Sequence, residues 1–103
     1  MGTIQRRVRL PIDIGAELKI KVIRLNQKSS KKTTVRDYIV TDLLRVNNSV
    51  PDKPIDISEG TLHQLEIPKP INDRLRESAG KIGTTIEEYT VRLIYANLKK
   101  QIK

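Results

Sequence analysis

The hydrophobic and polar positions along the chain form one pattern that occurs twice. Each copy begins with a short stretch in which apolar and polar residues alternate, as they do in a half-buried strand. The first stretch is TIQRRVRL, residues 3–10, which is followed by Pro11, and the second is LHQLEIP, residues 62–68, which ends in Pro68. We expect each strand to turn an apolar face inward and a polar face outward, with Arg6 on the apolar face of the first strand.

Two amphipathic helices are predicted after each strand, because apolar residues recur there every three or four positions. The four apolar stripes are Ile14, Leu18, Val22 and Leu25; Val35, Tyr38, Ile39, Leu43 and Val46; Ile71, Leu75, Ala79 and Ile82; and Ile86, Tyr89, Leu93 and Ala96. We expect the two tyrosines, which occupy matching positions in the two copies, to pack in the core.

Helix-capping residues appear at the predicted helix ends of the first copy. Asp13 is a candidate N-cap of the first helix. The polar stretch NQKSSKK, residues 26–32, breaks the apolar pattern, and Thr33 or Thr34 is then a candidate N-cap of the second helix.

The second copy also contains residues that are typical of helix ends. Gly80 and Gly83 are expected to end the third helix, since glycine favours the left-handed conformation found there. Thr85 and Glu88 have the T-x-x-E spacing of a capping box, in which each side chain bonds the backbone of the other residue.

The two copies can be aligned residue by residue. Their second helices open with TTVRDY at 33–38 and TTIEEY at 84–89. The offset is 57 residues through the first helix and 51 after it, because the first copy has six more residues between its helices. We therefore divide the chain into repeat 1, residues 1–46, a linker containing proline and asparagine, residues 47–60, and repeat 2, residues 61–103.

Neither repeat is expected to fold alone. Each repeat is near the lower size limit for a domain that folds without disulfides or bound metal ions, and the chain has no cysteine that could form a disulfide. A single strand also leaves its backbone N–H and C=O groups unpaired. Pairing the two strands into an antiparallel ribbon over four helices with a shared core solves both problems.

The net charge of +8 is concentrated in the first half of the chain. Residues 1–50 hold 11 Lys or Arg and 4 Asp or Glu, whereas residues 51–103 hold 9 and 8. A basic surface attracts nucleic acid, anionic membrane or acidic protein without reading sequence. The alternative is that these charges only keep a small domain soluble.

Several other classes of protein are disfavoured by the sequence. The chain has no cysteine, one histidine and no phosphate-binding loop motif, so neither an enzyme nor a cofactor or metal site is expected. No apolar run approaches the length of a membrane span, and no secretory signal is present, which favours a cytoplasmic protein.

The alternating strands that end in an apolar residue and proline, together with the paired T-T-[VI]-x-[DE]-Y motifs, resemble the ribbon-helix-helix superfamily, the Arc/MetJ class of DNA-binding proteins. The resemblance covers nearly the whole chain and implies a mainly α fold. Two tandem ribbon-helix-helix repeats would form an intramolecular pseudo-dimer with one antiparallel β-ribbon and four helices. The tandem arrangement is similar to that of the TraY-type relaxosome proteins of conjugative plasmids.

In that superfamily the outward side chains of the ribbon read bases in the major groove. The resemblance implies that the base-reading residues here are Gln5, Arg7, Arg9, Gln64 and Glu66. Arginine suits guanine, glutamine suits adenine, and glutamate accepts from cytosine. Glu66 has an alternative role, since a carboxylate is repelled by phosphate and could instead pair with an arginine across the ribbon.

Phosphate contacts are expected at the start of each second helix, where backbone N–H groups and the helix dipole favour an anion. The candidates are Lys28, Lys31, Lys32, Thr33 and Thr34 in repeat 1 and Lys81, Thr84 and Thr85 in repeat 2. The threonines also suit a purely structural role as N-caps.

The function implied is sequence-specific binding of double-stranded DNA at a non-palindromic site, because the two strands carry different side chains. Such a protein would act as a transcriptional regulator or as a relaxosome accessory protein at a plasmid transfer origin. This function also implies a relaxase as a possible partner and cooperative association of several copies of the chain on DNA. No membrane partner is expected. The alternative is a module that binds nucleic acid or an anionic surface through charge alone.

Overall fold

The computed structural model describes residues 2–45, 50, 55 and 60–102. Val46 and nearly all of the predicted linker, residues 47–60, lie outside the described residues. The elements in chain order are strand β1 (Thr3–Leu10), helix α1 (Ile12–Lys28), helix α2 (Val35–Tyr38) with a π-helical continuation (Ile39–Leu43), strand β2 (Thr61–Pro68), helix α3 (Lys69–Ile82) and helix α4 (Ile86–Ile102). The predicted order, a strand followed by two helices and then the same again, is confirmed.

Strands β1 and β2 pair as a two-stranded antiparallel sheet, which confirms the predicted ribbon. Thr3 lies opposite Pro68 at one end and Leu10 opposite Thr61 at the other. The predicted alternation of the strands is also confirmed. The fully buried residues of the inward face are Val8, Leu10, Leu65 and Ile67.

Proline ends β1 and occupies the last position of β2, and it leads into the next helix in the same way both times. Pro11 and Pro68 are the N-caps of α1 and α3, with φ −53° and ψ 149° at Pro11 and φ −54° and ψ 141° at Pro68. The predicted N-cap role of Asp13 is wrong. Because α1 already begins at Ile12, Asp13 is helical and lies in the first turn, where its carboxylate interacts favourably with the helix dipole.

The turn between α1 and α2 begins later than predicted, since residues 26–28 are the last residues of α1. Asn26 organises the turn. Its side-chain oxygen accepts from the Thr33 N–H at 2.8 Å, and its amide nitrogen donates to the Thr33 carbonyl at 3.0 Å. Of the two predicted caps, Thr34 caps α2, because its hydroxyl accepts from the Asp37 N–H at 3.1 Å.

Glycine ends α3 at one of the two predicted positions. Gly83 has a φ of 74°, the left-handed conformation that favours glycine at a helix end. Gly80 does not end the helix, because α3 continues through it to Ile82. Gly60, just before β2, has a different reason to be glycine, since a Cβ there would lie 2.7 Å from Cγ of Arg9 and would also collide with the carbonyl of Leu10.

One hydrophobic core contains residues from both repeats. Its largest fully buried side chains include Leu10, Leu18, Ile39, Leu43, Leu44, Leu65, Ile67, Leu75, Leu93, Ile94 and Leu98. Full burial of a leucine or isoleucine side chain contributes about 1.5–3 kcal/mol. Because these residues come from both strands and from helices of both repeats, the elements stabilise one another across the repeats.

Helix α4 is buried on more sides than its sequence predicts. A single apolar stripe was expected, but residues 89–94 are all buried. The polar side chains on α4 bond within the core: the Thr90 hydroxyl donates to the Ile86 carbonyl at 2.7 Å, Arg92 lies 3.3 Å from the Glu88 carboxylate, and Asn97 donates to the Leu43 carbonyl. Satisfied hydrogen bonds of this kind allow polar residues to occupy the interior.

Candidate nucleic-acid interface

The outward face of the ribbon brings all five candidate base-reading residues together. They are Gln5, Arg7 and Arg9 on β1 and Gln64 and Glu66 on β2, and each is exposed. Because these residues alternate with inward-facing residues of the same strands, their side chains leave the sheet on the side away from the core. The face presents two guanidinium groups, two amides and one carboxylate to solvent.

The register of the ribbon is centred on Arg7 and Gln64. These two residues lie opposite each other, and they are also equivalent in the sequence alignment, 57 residues apart. Outward from this pair, Gln5 lies opposite Glu66 on one side and Arg9 opposite Leu62 on the other. The two ends of the face therefore have different chemistry: an amide and a carboxylate at one end, a guanidinium and an apolar side chain at the other.

A hydrogen bond orders the two amides of this face. The Gln64 side chain donates from Nε2 to Oε1 of Gln5 at 2.9 Å. Each amide keeps further hydrogen-bonding capacity, because Nε2 of Gln5 has two N–H groups and Oε1 of Gln64 has its lone pairs. The pair can thus present a donor and an acceptor side by side.

The β2 side of the ribbon borders the first turns of α2 and its continuation. Gln64 and Glu66 line a cleft of about 540 Å³ together with Thr34, Arg36, Asp37, Val40 and Thr41. Arg36 is exposed there and was not among the predicted site residues. An ion pair with an arginine across the ribbon was considered for Glu66, but Glu66 lies opposite Gln5 and takes part in none of the ion pairs among the described residues.

The β1 side of the ribbon borders the start of α4. Helix α4 packs against β1, and the backbone N–H of Arg9 donates to the carboxylate Oε2 of Glu87 at 3.1 Å. This bond gives the Arg9 backbone N–H an acceptor outside the ribbon. Glu87 is thus a second residue that borders the candidate interface and was not predicted from the sequence.

The arrangement of charges on the β1 side of the ribbon is the reverse of that on the β2 side. On the β1 side the strand contributes an arginine, Arg9, whose backbone bonds a helix glutamate, Glu87. On the β2 side the strand contributes a glutamate, Glu66, which shares a cleft with a helix arginine, Arg36. Both exchanges occur at aligned positions of the repeats, so the mismatch between TTVRDY and TTIEEY is the sequence signal that could have identified Arg36 and Glu87.

The candidate phosphate-binding lysines of repeat 1 are exposed. Lys28 is the last residue of α1, and Lys31 and Lys32 follow in the turn. The Lys31 N–H donates to the Ser29 hydroxyl at 3.1 Å, and the Lys32 ammonium donates to the Asn26 carbonyl at 2.9 Å. Thr33 is held by Asn26 as described above, so this turn is an ordered basic segment beside the start of α2.

The corresponding residues of repeat 2 are engaged by carboxylates. The Thr84 hydroxyl donates to the Glu88 carboxylate, and the exposed Lys81 lies 3.5 Å from Glu77. The predicted capping box is only half formed: Thr85 accepts from the Glu88 N–H at 3.1 Å, but the Glu88 side chain turns to Thr84 and Arg92 instead. The pKa of Glu88 is lowered, mainly by the Thr84 hydrogen bond and further by the hydrogen bond and charge of Arg92, against the opposing effect of partial burial.

The ribbon is anchored from its inner face by a polar contact. Arg6, half-buried between apolar neighbours, donates from Nε to Oδ1 of Asn72 on α3 at 2.6 Å. Asn72 is itself buried. The bond fixes β1 against α3 and so helps to hold the outward face in one orientation.

Comparisons with known proteins supply no relative for this chain. No known family model matches it, and neither a curated protein nor a solved structure is significantly similar to it. Among the described residues, no group of three or more acidic or histidine side chains could hold a metal ion, and no helix has both the length and the apolar character needed to cross a bilayer.

Proposed function

We propose that the protein binds double-stranded DNA sequence-specifically by inserting the β1–β2 ribbon into the major groove. The observation that carries this proposal is the collection of Gln5, Arg7, Arg9, Gln64 and Glu66 on the one exposed face of a two-stranded ribbon. A two-stranded ribbon fits the major groove, where each base pair presents a distinct pattern of donors and acceptors. The net charge of +8 favours association with the phosphate backbone.

The two halves of the chain act, in this proposal, as ribbon-helix-helix units that form an intramolecular pseudo-dimer. Two observations support it. The ribbon register is centred on the aligned residues Arg7 and Gln64, and the second helix of each repeat borders the strand of the other repeat, α4 at β1 and α2 at β2.

The site that this face reads is asymmetric. Arg7 and Arg9 each suit the O6 and N7 acceptors of guanine, and the glutamine pair suits adenine, with a good bidentate contact contributing about 1–3 kcal/mol of discrimination. Glu66 accepts from cytosine N4 or orients Arg36 toward the backbone, because it shares a cleft with that residue. Since the ends of the ribbon differ in charge, a non-palindromic site follows.

The phosphate contacts of the proposed complex are stronger on the repeat 1 side. Lys28, Lys31, Lys32 and Arg36 are exposed around the start of α2, with Thr33 and Thr34 at that helix end. The candidates of repeat 2 are less suited, because each is already engaged: Thr84 by the Glu88 carboxylate, Thr85 by the Glu88 backbone N–H and Lys81 by Glu77. The protein would then regulate transcription from an operator, or assist a relaxase at a plasmid transfer origin, since both roles begin with the same groove contact.

Binding selection from a random DNA library in the presence of polynucleotide competitor tests the proposal. We expect one asymmetric sequence class to be recovered by the native chain. The double variant Arg7→Ala, Arg9→Ala should lose that preference while keeping its circular dichroism spectrum. The matched control is Arg45→Ala, Arg76→Ala, which removes the same charge from exposed residues outside the ribbon and should keep the preference.

Equal binding of all sequences by the native chain would contradict the proposal and favour a charge-driven binder. Loss of the sequence preference in the control variant as well would point to the same conclusion. Binding to vesicles of anionic lipid with no binding to DNA would identify an anionic membrane surface as the partner.

A further inference from the structure

The longer turn of repeat 1 borders a cavity of about 420 Å³, which we call the turn cavity. The cavity lies between this turn, the end of α1 and the outer side of α2 and its continuation. Small-molecule sites have volumes of about 300–1,000 Å³ and combine an apolar surface with a few polar groups. The lining of the turn cavity includes two lysines of the turn, two aspartates of the helix, a leucine and a buried tyrosine: Lys31, Lys32, Asp37, Asp42, Leu25 and Tyr38.

The turn cavity is formed by two features that repeat 2 lacks. The first is the longer connection between the helices of repeat 1, in which both lysines lie. The second is the π-helical segment Ile39–Leu43, since the aligned residues 90–94 belong to the regular α-helix α4.

The π-helical segment brings the two aspartates toward the same side. Residues five apart are separated by about 140° around an α-helix, and the larger number of residues per turn in a π-helix reduces this angle for Asp37 and Asp42. In repeat 2 the position of Asp42 is occupied by the buried Leu93. The cavity is therefore not a requirement of the repeated fold, and π-helical segments occur frequently at functional sites.

The opposite charges that line the turn cavity do not neutralise one another. Among the described residues, neither lysine forms an ion pair with either aspartate. The Lys32 ammonium instead donates to the Asn26 carbonyl at 2.9 Å. Burial, and next the charge of Asp42, raise the pKa of Tyr38, so the negative charge of the helix side acts on the buried ring as well. The cavity thus has a cationic side and an anionic side.

We propose that the turn cavity binds a small zwitterion of the amino-acid class, with its carboxylate toward the turn and its ammonium toward the helix. The lysines donate charge-assisted hydrogen bonds to the carboxylate, and the aspartates accept them from the ammonium. Leu25 and the ring of Tyr38 form an apolar surface for the ligand's side chain. A ligand with charge of only one sign would be attracted by one side and repelled by the other, and this repulsion selects the zwitterion.

The turn cavity adjoins the proposed DNA interface. Asp37 and Thr41 line both this cavity and the cleft that contains Glu66. If the proposed DNA binding holds, the ligand's carboxylate occupies lysines that otherwise contact phosphate, so the zwitterion weakens DNA binding. Coupling of this kind is reciprocal, and DNA weakens binding of the zwitterion by the same factor. Only this step rests on the proposed function.

Titration of the ¹⁵N-labelled full chain with each of the common L-amino acids, followed by NMR, tests the site. We expect at least one of them to bind with a dissociation constant on the order of 1 mM or below. The largest shifts should come from backbone N–H groups of residues 29–33 and 37–42. Inorganic phosphate and spermidine, which carry charge of one sign, should bind at least about tenfold more weakly.

Three results of this titration would overturn the proposal. The first is no binding by any amino acid at concentrations about tenfold above the expected dissociation constant. The second is tighter binding of phosphate or of spermidine, which would assign the cavity to a ligand of one sign. The third is a set of largest shifts that lies away from the turn and from α2.

Charge-removing variants test which side chains hold the ligand. Lys31→Ala and Asp42→Asn each remove one charged contact and should weaken binding of the best amino acid about tenfold, whereas Lys31→Arg should retain it. The matched controls are Lys19→Ala and Asp13→Asn, which remove the same charges from exposed positions of α1 and should leave the dissociation constant unchanged. Circular dichroism verifies that every variant is folded. Equal effects of the cavity variants and their controls would count against the site.

Addition of the same amino acid to the DNA complex tests the coupling. At saturation we expect DNA affinity to fall about fivefold or more and its salt dependence to become less steep, and Lys31→Ala should show neither change. Unchanged DNA affinity would reject the coupling. Sequence-specific DNA binding without amino-acid binding would reject the turn cavity as a site and leave the proposed function intact. Amino-acid binding without sequence-specific DNA binding would reject the proposed function alone.

Discussion

At the scale of single residues, Glu88 shows how a carboxylate is fixed at the start of α4. Its side chain accepts from the Thr84 hydroxyl and pairs with Arg92 at 3.3 Å, and its pKa lies below the ordinary value of 4.5. A carboxyl group whose pKa is depressed on folding stabilises the fold above its unfolded pKa, and this contribution is lost as the pH falls through the folded pKa. We expect Glu88→Gln to be less stable than the native chain at neutral pH, and the difference to shrink below pH 4.5.

Urea denaturation at a series of pH values measures this difference. The matched control is Glu77→Gln, because Glu77 is an exposed glutamate whose only ion pair, within the described parts of the chain, is with Lys81 on the surface. Exposed pairs of this kind contribute little. A Glu88→Gln deficit that stays constant from neutral to acidic pH would show that the ionised carboxylate is not what stabilises the start of α4.

Single residues also mark the limit of what the sequence could predict. The alternation of polar and apolar residues was enough to predict which side chains point outward from the ribbon, because a strand has only two faces. These side chains are Gln5, Arg7, Arg9, Gln64 and Glu66. The direction of the Glu88 side chain did not follow, since the T-x-x-E spacing fits two arrangements and the choice depends on Arg92, one turn further along the helix. Arg36 and Glu87 were missed because their importance comes from the neighbouring strand, which is distant in sequence.

At the scale of elements, the end of α3 depends on a glycine at one position and tolerates one at another. Gly83 has a φ of 74°, whereas Gly80 is inside the helix and a Cβ there would meet nothing within 4 Å. We expect Gly83→Ala to destabilise the protein by about 1–2 kcal/mol, because an L side chain is strained in the left-handed region. Gly80→Ala should stabilise it by about 0.5–1 kcal/mol, because alanine loses less backbone entropy in a helix.

Chemical denaturation of the two variants provides the comparison, since each is the control for the other. The two substitutions add the same methyl group at positions three residues apart. If the methyl group acted only by general crowding, both would change the free energy of unfolding in the same direction. Opposite signs are expected from the backbone geometry. Equal destabilisation would contradict the assignment of Gly83 as the only one of the two that requires glycine.

Elements differ in how fully the sequence defines them. The ribbon was predictable because two short strands without local partners can satisfy their backbone only by pairing with each other. The surroundings of α4 were not, because Thr90, Arg92 and Asn97 look like surface residues until their partners at Ile86, Glu88 and Leu43 are known. Asp13 likewise fits the composition of an N-cap, but Pro11 caps α1 instead, so the helix begins at Ile12, two residues earlier than a cap at Asp13 would require.

At the scale of the whole molecule, the reversed charges at the ribbon ends favour pairing of the two different repeats over pairing of identical ones. In this chain the Arg9 backbone N–H bonds the Glu87 carboxylate, and Glu66 lines the same cleft as Arg36. If repeat 1 paired with another repeat 1 in the same geometry, Arg36 would lie beside Arg9. If repeat 2 paired with itself, Glu87 would lie beside Glu66. Proteins commonly gain specificity by placing like charges side by side in the unwanted pairings, here those of identical repeats.

Separate fragments, residues 1–53 and 54–103, test this preference. In the described part of the chain each strand pairs only with the other, and the core includes residues of both repeats. We therefore expect neither fragment alone to show a cooperative unfolding transition at low micromolar concentration. An equimolar mixture should recover helical circular dichroism and sediment as a complex of one copy of each. Adding Arg36→Glu to the first fragment should weaken the mixed complex, because the introduced carboxylate would face Glu66, and should favour self-pairing of that fragment through Arg9. Self-association of the unmodified fragments as strong as the mixed complex would show that charge at the ribbon ends does not select the partner.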